Sequence, residues 1–507
     1  MPMDTRTIAL GVDGATYDLL DEWIQAGELP NFESVADEGL DWTLETTIPT
    51  RSIPAWPSFN SGTNLGVHGL LDFNCDLDSD SEKLVDQTNL RSTRFWDVLA
   101  EDGVSPITLG GLLTYPPREV QNGVEVSGPM TPESAEVFTK PGSVSERIRE
   151  IVPDYEFGPS LDGSRRAVRD ACIESAEQRA TVAKNLMTEH SWQFFFGLFI
   201  ATDRAQHKLW DTPEEILPVY KEIDDFIGWI RERYPKANVI LFSDHGFTSP
   251  PERDFFLNGW LASRNDTTEG SPDTSLKYTV AKWGYSNARQ YIGVNFRDLV
   301  PDRLETWLTG TGEGSNSPVR AANRNIDGIH VDLPNEEEVI EDLITELCDL
   351  TDPETGSQVF RGVYRKEDLY EGKYLEDLPD IILLPNPDYN VNTNPNNHIF
   401  GLFPGSENEG MHDAAREGVL MMAGPNIKQD PERKTASLLD LPPTLLHICD
   451  SHIPSNYDGK VLMDTLTGAP AQREVASREP LHTGPKTTTT TENKEDVEER
   501  LSDLGYL

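Results

Sequence analysis

The chain has 507 residues, with 43 Lys and Arg against 87 Asp and Glu, for a formal net charge of −44. That length exceeds one ordinary core and implies either one large domain with insertions or two domains. The acidic residues are spread along the whole sequence, yet 37% of residues are hydrophobic; disorder is excluded, and binding to nucleic acid or to an anionic membrane surface is disfavoured.

In chain order, residues 7–12 (TIALGV) read as a buried strand that ends at Asp13-Gly14. Pro54 suits the first turn of a helix running toward Ser61-Gly62. A long amphipathic helix follows Ser164, and a second covers EEILPVYKEIDDFIGWIRERY. Further apolar runs stand at 194–200 (FFFGLFI), 238–243 (NVILFS), 379–385 (PDIILLP) and 418–425 (GVLMMAGP). Such continuous runs fit a parallel sheet covered on both faces, and their alternation with helices predicts an α/β sandwich with a mostly parallel sheet. Residues 250–400 are rich in Gly, Asn, Asp, Ser and Pro and read as an insertion that caps the site. Residues 467–493 are poor in apolar side chains and read as a linker; 494–507 read as a short docking helix. The catalytic domain then spans 1–466.

Polar residues gather just past the C-terminal ends of the predicted strands, where open α/β sheets build their sites. Four clusters carry metal-ligand chemistry: Asp13; Asp203 with His207 in ATDRAQH; Asp244 with His245 in FSDHGF; and His412 in GMHD. Asp203 and His207, four apart, share one face of a helix. Three histidines and three carboxylates suit borderline divalent ions such as Zn²⁺ or Mn²⁺. Taken singly, each cluster reads as well as a surface pair, a capping Asp or a loop His; in combination and in this order they point to a metal site. The candidate nucleophile is Ser52, in IPTRSIPAWPSFNSG, at a predicted helix N-terminus whose positive potential favours an anion. A plain N-capping serine is the alternative there.

The uniform acidity reads as adaptation to molar salt, where carboxylates hold hydration and their repulsion is screened; an acidic mesophilic protein is the alternative. The four cysteines (Cys75, Cys172, Cys348 and Cys449) are widely spaced with no CxxC pair, which is neither a metal-knuckle nor a disulfide-scaffold pattern. The N-terminus lacks the charged start and cleavage site of a signal peptide, and no 18-residue apolar stretch exists. The expectation is a cytoplasmic protein with no transmembrane segment.

On these residues the chain resembles the type I phosphodiesterase/nucleotide pyrophosphatase branch of the alkaline-phosphatase superfamily, in its prokaryotic, haloarchaeal form. The matching segments are LGVDGATYDLL, PTRSIPAWPSFNSGTNLGVHGLLDF, LLTYPP, TDRAQHKLW, FSDHGF, GMHDAAREGVLMMAGPNI, DLPPTLLHICDSHIPSNYDGKVL and the terminal ERLSDLGYL. The resemblance implies an alkaline-phosphatase-like three-layer sandwich with two divalent metal ions, Zn²⁺ favoured and Mn²⁺ the alternative. One metal would be held by Asp203, His207 and His412, the other by Asp13, Asp244, His245 and the Ser52 oxygen. Ser52 would attack phosphorus in line and form a covalent phospho-enzyme that water then releases. The substrate would be a small-molecule, glycan or lipid phosphoester, contacted by Arg51, Asn74 and Tyr115.

Departures from family patterns narrow this. Nucleotide pyrophosphatases often carry Asn after the Pro of the nucleophile site, where this chain has Ala55 and Trp56, so nucleotide preference does not transfer. Sulfatases need an Arg where Trp56 stands. Metal-dependent phosphoglycerate mutases insert a long domain soon after the nucleophile, whereas only about 150 residues separate Ser52 from Asp203 here. A phosphodiesterase is the favoured reading. A phosphomonoesterase, a phosphotransferase on a polysaccharide or lipid head group, and a non-catalytic binding protein of the same fold are its rivals. His68 and His398 are read as loop residues beside the site.

Overall fold

A computed structural model describes residues 5–73, 85–265, 319–322, 326–334, 336–394, 396, 398–405 and 409–481. The chain divides into two compact units. The first is Met1–Thr248, Tyr370–Leu375 and Asn408–Leu507; the second is Ser249–Leu369 and Glu376–Glu407.

The first unit is built on strands β1 (Thr7–Val12), β2 (Leu40–Glu45), β3 (Pro106–Gly111), β4 (Val124–Ser127), β5 (Thr139–Lys140), β6 (Phe194–Phe199) and β7 (Asn238–Phe242). The second unit supplies β8 (Arg253–Phe256), β9 (Val319–Ala321), β10 (Gly328–Val331), β11 (Phe360–Arg365), β12 (Ile381–Pro385), β13 (Tyr389–Asn392) and β14 (Phe400–Leu402). The chain then rejoins the first sheet with β15 (Glu417–Ala423) and β16 (Thr435–Ser437). The large sheet has nine strands in the order β16-β2-β15-β7-β1-β6-β3-β4-β5.

Period-2 geometry divides each central strand between two cores. Ile8, Leu10, Val12, Phe195, Phe199, Val239 and Leu241 face one apolar cluster. Ala9, Phe194, Phe196, Leu198, Ile240 and Phe242 face the other. Helices cover both. On the first face lie α1 (Tyr17–Gln25) and α2 (Pro30–Glu38); α3 (Ser52–Ser61) and α5 (Phe95–Glu101) contribute to the second, and the short α4 (Leu65–His68) follows α3. The first face also takes α6 (Ser143–Ile151), α7 (Arg165–Glu189), α8 (Ala201–Leu209) and α9 (Pro213–Arg233). The Ser164 side chain caps α7 by accepting from Ala167 N. This is the three-layer α/β/α arrangement expected.

Two runs behave differently from expectation. The 379–385 run becomes β12, in a separate antiparallel sheet of the second unit ordered β11-β12-β10-β9. The 418–425 run becomes β15, which lies in the large sheet but antiparallel to β7 and β2. A continuous apolar run records burial on both faces; it carries no information on direction or on which sheet is joined. The second unit has its own core, including Phe255, Ile329, Leu343, Leu347, Ile381 and Leu383. The stretch read as linker has regular structure at least to Arg478: Ser477–Arg478 pairs with Ile453–Pro454, and Gly468–Gln472 is helical. The proposed docking segment 494–507 lies outside the described residues.

Candidate active site

The sheet brings the singled-out residues to one edge. β7, β1 and β6 are adjacent and parallel, with Val12 beside Phe199 and Gly11 beside Phe242. Their C-terminal ends therefore deliver Asp13, the start of α8 and Asp244 to the same place. β15 runs the other way, so the loop before it supplies His412 at that edge. β2 is antiparallel to β15 and thus runs with β7, so its C-terminal end leads through residues 46–51 to Ser52. Ser52 is the first residue of α3, capped by Arg51 without a side-chain bond, and the helix ends on Gly62 at φ 66°. Ser52 is therefore a first-turn residue and does not act as the N-cap.

Two triads form. One oxygen or nitrogen from each of Asp203, His207 and His412 lies within 4.8 Å of the others, and the same holds for Asp13, Asp244 and His245. The two adjoin, since the His245 and His412 rings stack with centroids 4.2 Å apart. Ser52 Oγ is 3.2 Å from His245 Nε2.

The hydrogen bonds around these groups leave a consistent set of free lone pairs. His245 Nδ1–H donates to Gly246 O at 3.0 Å, His207 Nδ1–H to Gly410 O at 3.1 Å and His412 Nδ1–H to Thr50 O at 3.1 Å. Each ring is thereby fixed in the tautomer that offers Nε2 as a ligand. The carboxylates repeat the pattern. Asp13 Oδ2 accepts from Trp56 Nε1 at 3.2 Å and Asp244 Oδ1 from Gly14 N at 3.3 Å. Their other oxygens, Asp13 Oδ1 and Asp244 Oδ2, are buried with no hydrogen-bond donor among the described residues, as is Asp203 Oδ1. Three buried carboxylates with one orphaned oxygen each are costly unless cations complete them. The donor set, three imidazole nitrogens with three carboxylate oxygens, fits two divalent ions.

Electrostatics follow from burial. Burial, then the Asp244 charge, holds the Asp13 carboxyl well above the usual range, and burial pushes Asp244 up to about 7. Burial also raises Asp203, but His207, Arg204 and His412 outweigh it and leave that carboxyl lowered. Burial followed by His245 takes His412 down to about 3. Burial likewise lowers His207, so the His207 and His412 rings are held neutral beside ionisable oxygens, the state a cation binds.

Of the other candidates, Arg51 pairs with Asp413 at 2.6 Å, beside His412. Tyr115 follows β3; it is half-buried, with its phenol pushed up by burial, and the hydrogen bond at its carbonyl comes from Gln87 N and not from any ligand. Asn74 lies outside the described residues. His68 is a core histidine: its Nδ1 accepts from Leu70 N at 3.1 Å, so Nε2–H donates to Ser58 Oγ at 3.0 Å. His398 is exposed.

Trp56 is the residue whose part in the site sequence reasoning passed over; it served only to separate the chain from sulfatases and from the nucleotide pyrophosphatase pattern. Its indole is fully buried and orients Asp13 from 43 positions away. Trp56→Phe keeps an aromatic ring but removes the donor and part of the indole, leaving a cavity that costs stability. Metal affinity is expected to fall about 10–100-fold; metal titration of the folded variant checks this, and unchanged affinity would make Trp56 a packing residue only.

Comparison with known proteins gives three findings. A family model described as type I phosphodiesterase/nucleotide pyrophosphatase matches residues 7–415. A search of curated protein sequences finds no match. Among solved structures, the chain is similar to phosphonoacetate hydrolase from Sinorhizobium meliloti, solved with phosphonoformate: TM-score 0.53, 16% identity, 86% of this chain and 94% of that one. It is similar to murine ectonucleotide pyrophosphatase/phosphodiesterase 5, solved as an inactive threonine-to-alanine variant with AMP: TM-score 0.52, 14% identity, 92% of this chain and all of that one. It is also similar to the alkaline phosphatase PafA, at TM-score 0.53 and 13% identity, over 92% of this chain and 100% of that one.

Proposed function

The chain belongs to the type I phosphodiesterase/nucleotide pyrophosphatase family, a family of phosphoric ester hydrolases, and we propose that it cleaves phosphodiesters through a covalent Ser52 intermediate at a two-metal site. The observation that carries this reading is the set of orphaned oxygens on Asp13, Asp203 and Asp244 beside the Ser52 hydroxyl. Asp203, His207 and His412 would hold one ion; Asp13, Asp244, His245 and Ser52 Oγ would hold the other. Divalent ions bound there supply Lewis-acid stabilisation of charge on the entering and leaving oxygens.

The chain's own residues do the rest. The N-terminus of α3 places Ser52 Oγ where positive potential meets an anionic phosphoryl group. Because the His245 Nδ1 proton is committed to Gly246 O, its Nε2 lone pair is left for the ion that it and the neighbouring Ser52 Oγ would share. Ser52 gives its proton to solvent and Oγ bonds to phosphorus as the bond to the leaving oxygen breaks, that oxygen taking a proton from solvent; water then cleaves the phosphorus–Oγ bond and restores the hydroxyl. Arg51, held by Asp413, is the group we assign to the non-bridging oxygens.

The test compares bis-p-nitrophenyl phosphate, p-nitrophenyl phosphate and p-nitrophenyl sulfate, in high salt with Zn²⁺ or Mn²⁺. The expected order of kcat/KM is diester, then monoester, with no sulfate turnover. A nucleotide diester belongs in the panel, given the AMP complex of the murine enzyme. A monoester preference would move the assignment to a phosphatase, and metal-loaded protein without turnover to a binding protein.

The charge of −44 supports a salt-adapted protein. Its thermal midpoint is expected to rise by several degrees between 0.1 M and 3 M KCl as carboxylate repulsion is screened; a midpoint that is flat or falls with salt would count against adaptation. Cys172, Cys348 and Cys449 are unpaired, which supports a reducing, cytoplasmic location. Among the described residues, no helix is long and apolar enough to cross a membrane.

A further inference from the structure

Tyr370–Leu375 interrupts the second unit in sequence but belongs to the first in space. What it does there is specific. The Tyr370 phenol, 8% exposed, takes both polar groups of one residue: its oxygen accepts from Ile48 N at 3.0 Å and its O–H donates to Ile48 O. Ile48 sits four residues before Ser52, in the loop from β2 to α3. At the segment's other end, Tyr374 N donates to Gly66 O at 2.7 Å, in α4, just past the end of α3. Gly66 has no room for a side chain, since a Cβ would stand 2.7 Å from Glu371 O. Arg91 lies over the Tyr374 ring at 4.3 Å. One short segment therefore grips the chain on both sides of the helix that begins with Ser52.

The loop is gripped from a second direction by His412 and Asp413. His412 Nδ1 donates to Thr50 O, the Thr50 hydroxyl to Asp413 O, and Arg51 pairs with Asp413. Those bonds tie the loop to a metal ligand, whereas the Tyr370 bonds involve no ligand, so the two grips can be separated by mutation.

We propose that Tyr370–Leu375 is a latch that positions the nucleophile helix, with Tyr370 as its positioning residue. The proposal rests on Ser52 being the nucleophile. Backbone bonds to Ile48 fix where α3 begins, and a nucleophile displaced by about 1 Å loses on the order of 100-fold in rate. Because Tyr370 touches neither a ligand nor Ser52 itself, its loss acts on kcat and leaves metal content alone.

The test is Tyr370→Phe in the full-length, metal-loaded protein, which keeps the ring and removes both Ile48 bonds. Three quantities are read: kcat and KM on bis-p-nitrophenyl phosphate, metal per chain, and the rate at which a fluorophosphonate labels Ser52 with loss of fluoride. The expected result is kcat and labelling lowered together about 10–100-fold, with KM within about twofold and metal unchanged. A second variant, Tyr374→Ala at the half-buried end of the segment, is expected to move the same quantities in the same direction by less, and covers the case in which Tyr370→Phe does not fold. Unchanged kcat and labelling, or a rise in KM alone, would overturn the latch. Ser52→Ala run beside it separates the two readings: if that variant still turns over and labels, the nucleophile assignment fails and the latch with it, whereas an inactive Ser52→Ala beside a normal Tyr370→Phe removes the latch alone.

Discussion

Ser52→Ala is expected to lower kcat for diester hydrolysis by roughly 10³-fold or more while leaving the protein folded and metal-loaded. The size follows from the role: among the described residues Ser52 is the hydroxyl hydrogen-bonded at His245 Nε2, beside the two triads, so its removal eliminates the covalent route instead of weakening it. The specificity follows from the local structure. Ser52 does not cap α3, since that position is Arg51, so deleting Oγ costs none of the roughly 1 kcal/mol a lost cap would. It leaves a gap one atom wide at a residue 3% exposed. Steady-state kinetics, the thermal midpoint and metal content, measured on one preparation, check the expectation. Turnover within tenfold of the parent would mean that water attacks phosphorus directly and that Ser52 is only a neighbour of the metals.

Asp203→Asn is expected to have the next largest effect, with one bound ion lost per chain and kcat down by about 10³-fold. The change is isosteric, so packing is kept; what goes is the anionic oxygen of the Asp203, His207, His412 group. The Asp13, Asp244, His245 group is untouched, so its ion should stay. Elemental analysis after desalting reads this directly. Retention of both ions with near-parent activity would show that His207 and His412 suffice and that Asp203 has another role. Chelation is expected to act on stability too. Removing the ions leaves the Asp13 and Asp244 carboxyls buried, the main cause of their raised pKa, with no cation to offset that burial, so the thermal midpoint should fall with a chelator and return with Zn²⁺.

Much of the site was legible because its candidate ligands follow apolar strands closely. Asp13 comes one residue after β1, Asp244 two after β7, and Asp203 and His207 share one helical turn after β6. Local periodicity reads all of these. β2 was not read as a strand: LDWTLE alternates buried and half-buried positions, and a single period of that kind beside charged residues is a weak signal. The reversal of β15 was equally invisible, although it is what brings His412 to the edge. Trp56 and Tyr370 escaped for a further reason. Their partners, Asp13 and Ile48, are 43 and 322 residues away, and hydrogen bonds of that reach leave no pattern in a sequence window.

The bridge between Thr248 and Met411 bears on how the protein is made. Thr248 N donates to Met411 O at 2.8 Å and Met411 N to Thr248 O at 2.9 Å. The points where the chain leaves and rejoins the first unit are therefore stapled to each other, with His412 immediately beyond. During synthesis the first triad stays incomplete until residue 412 emerges. Closing so long a loop would be slow were it structureless, since the entropy cost grows with loop length. An insertion with its own core, if ordered before residue 412 arrives, would shorten the loop that must close. The same staple brings the two ends of the excursion together, which is the geometry that an exchangeable insertion requires.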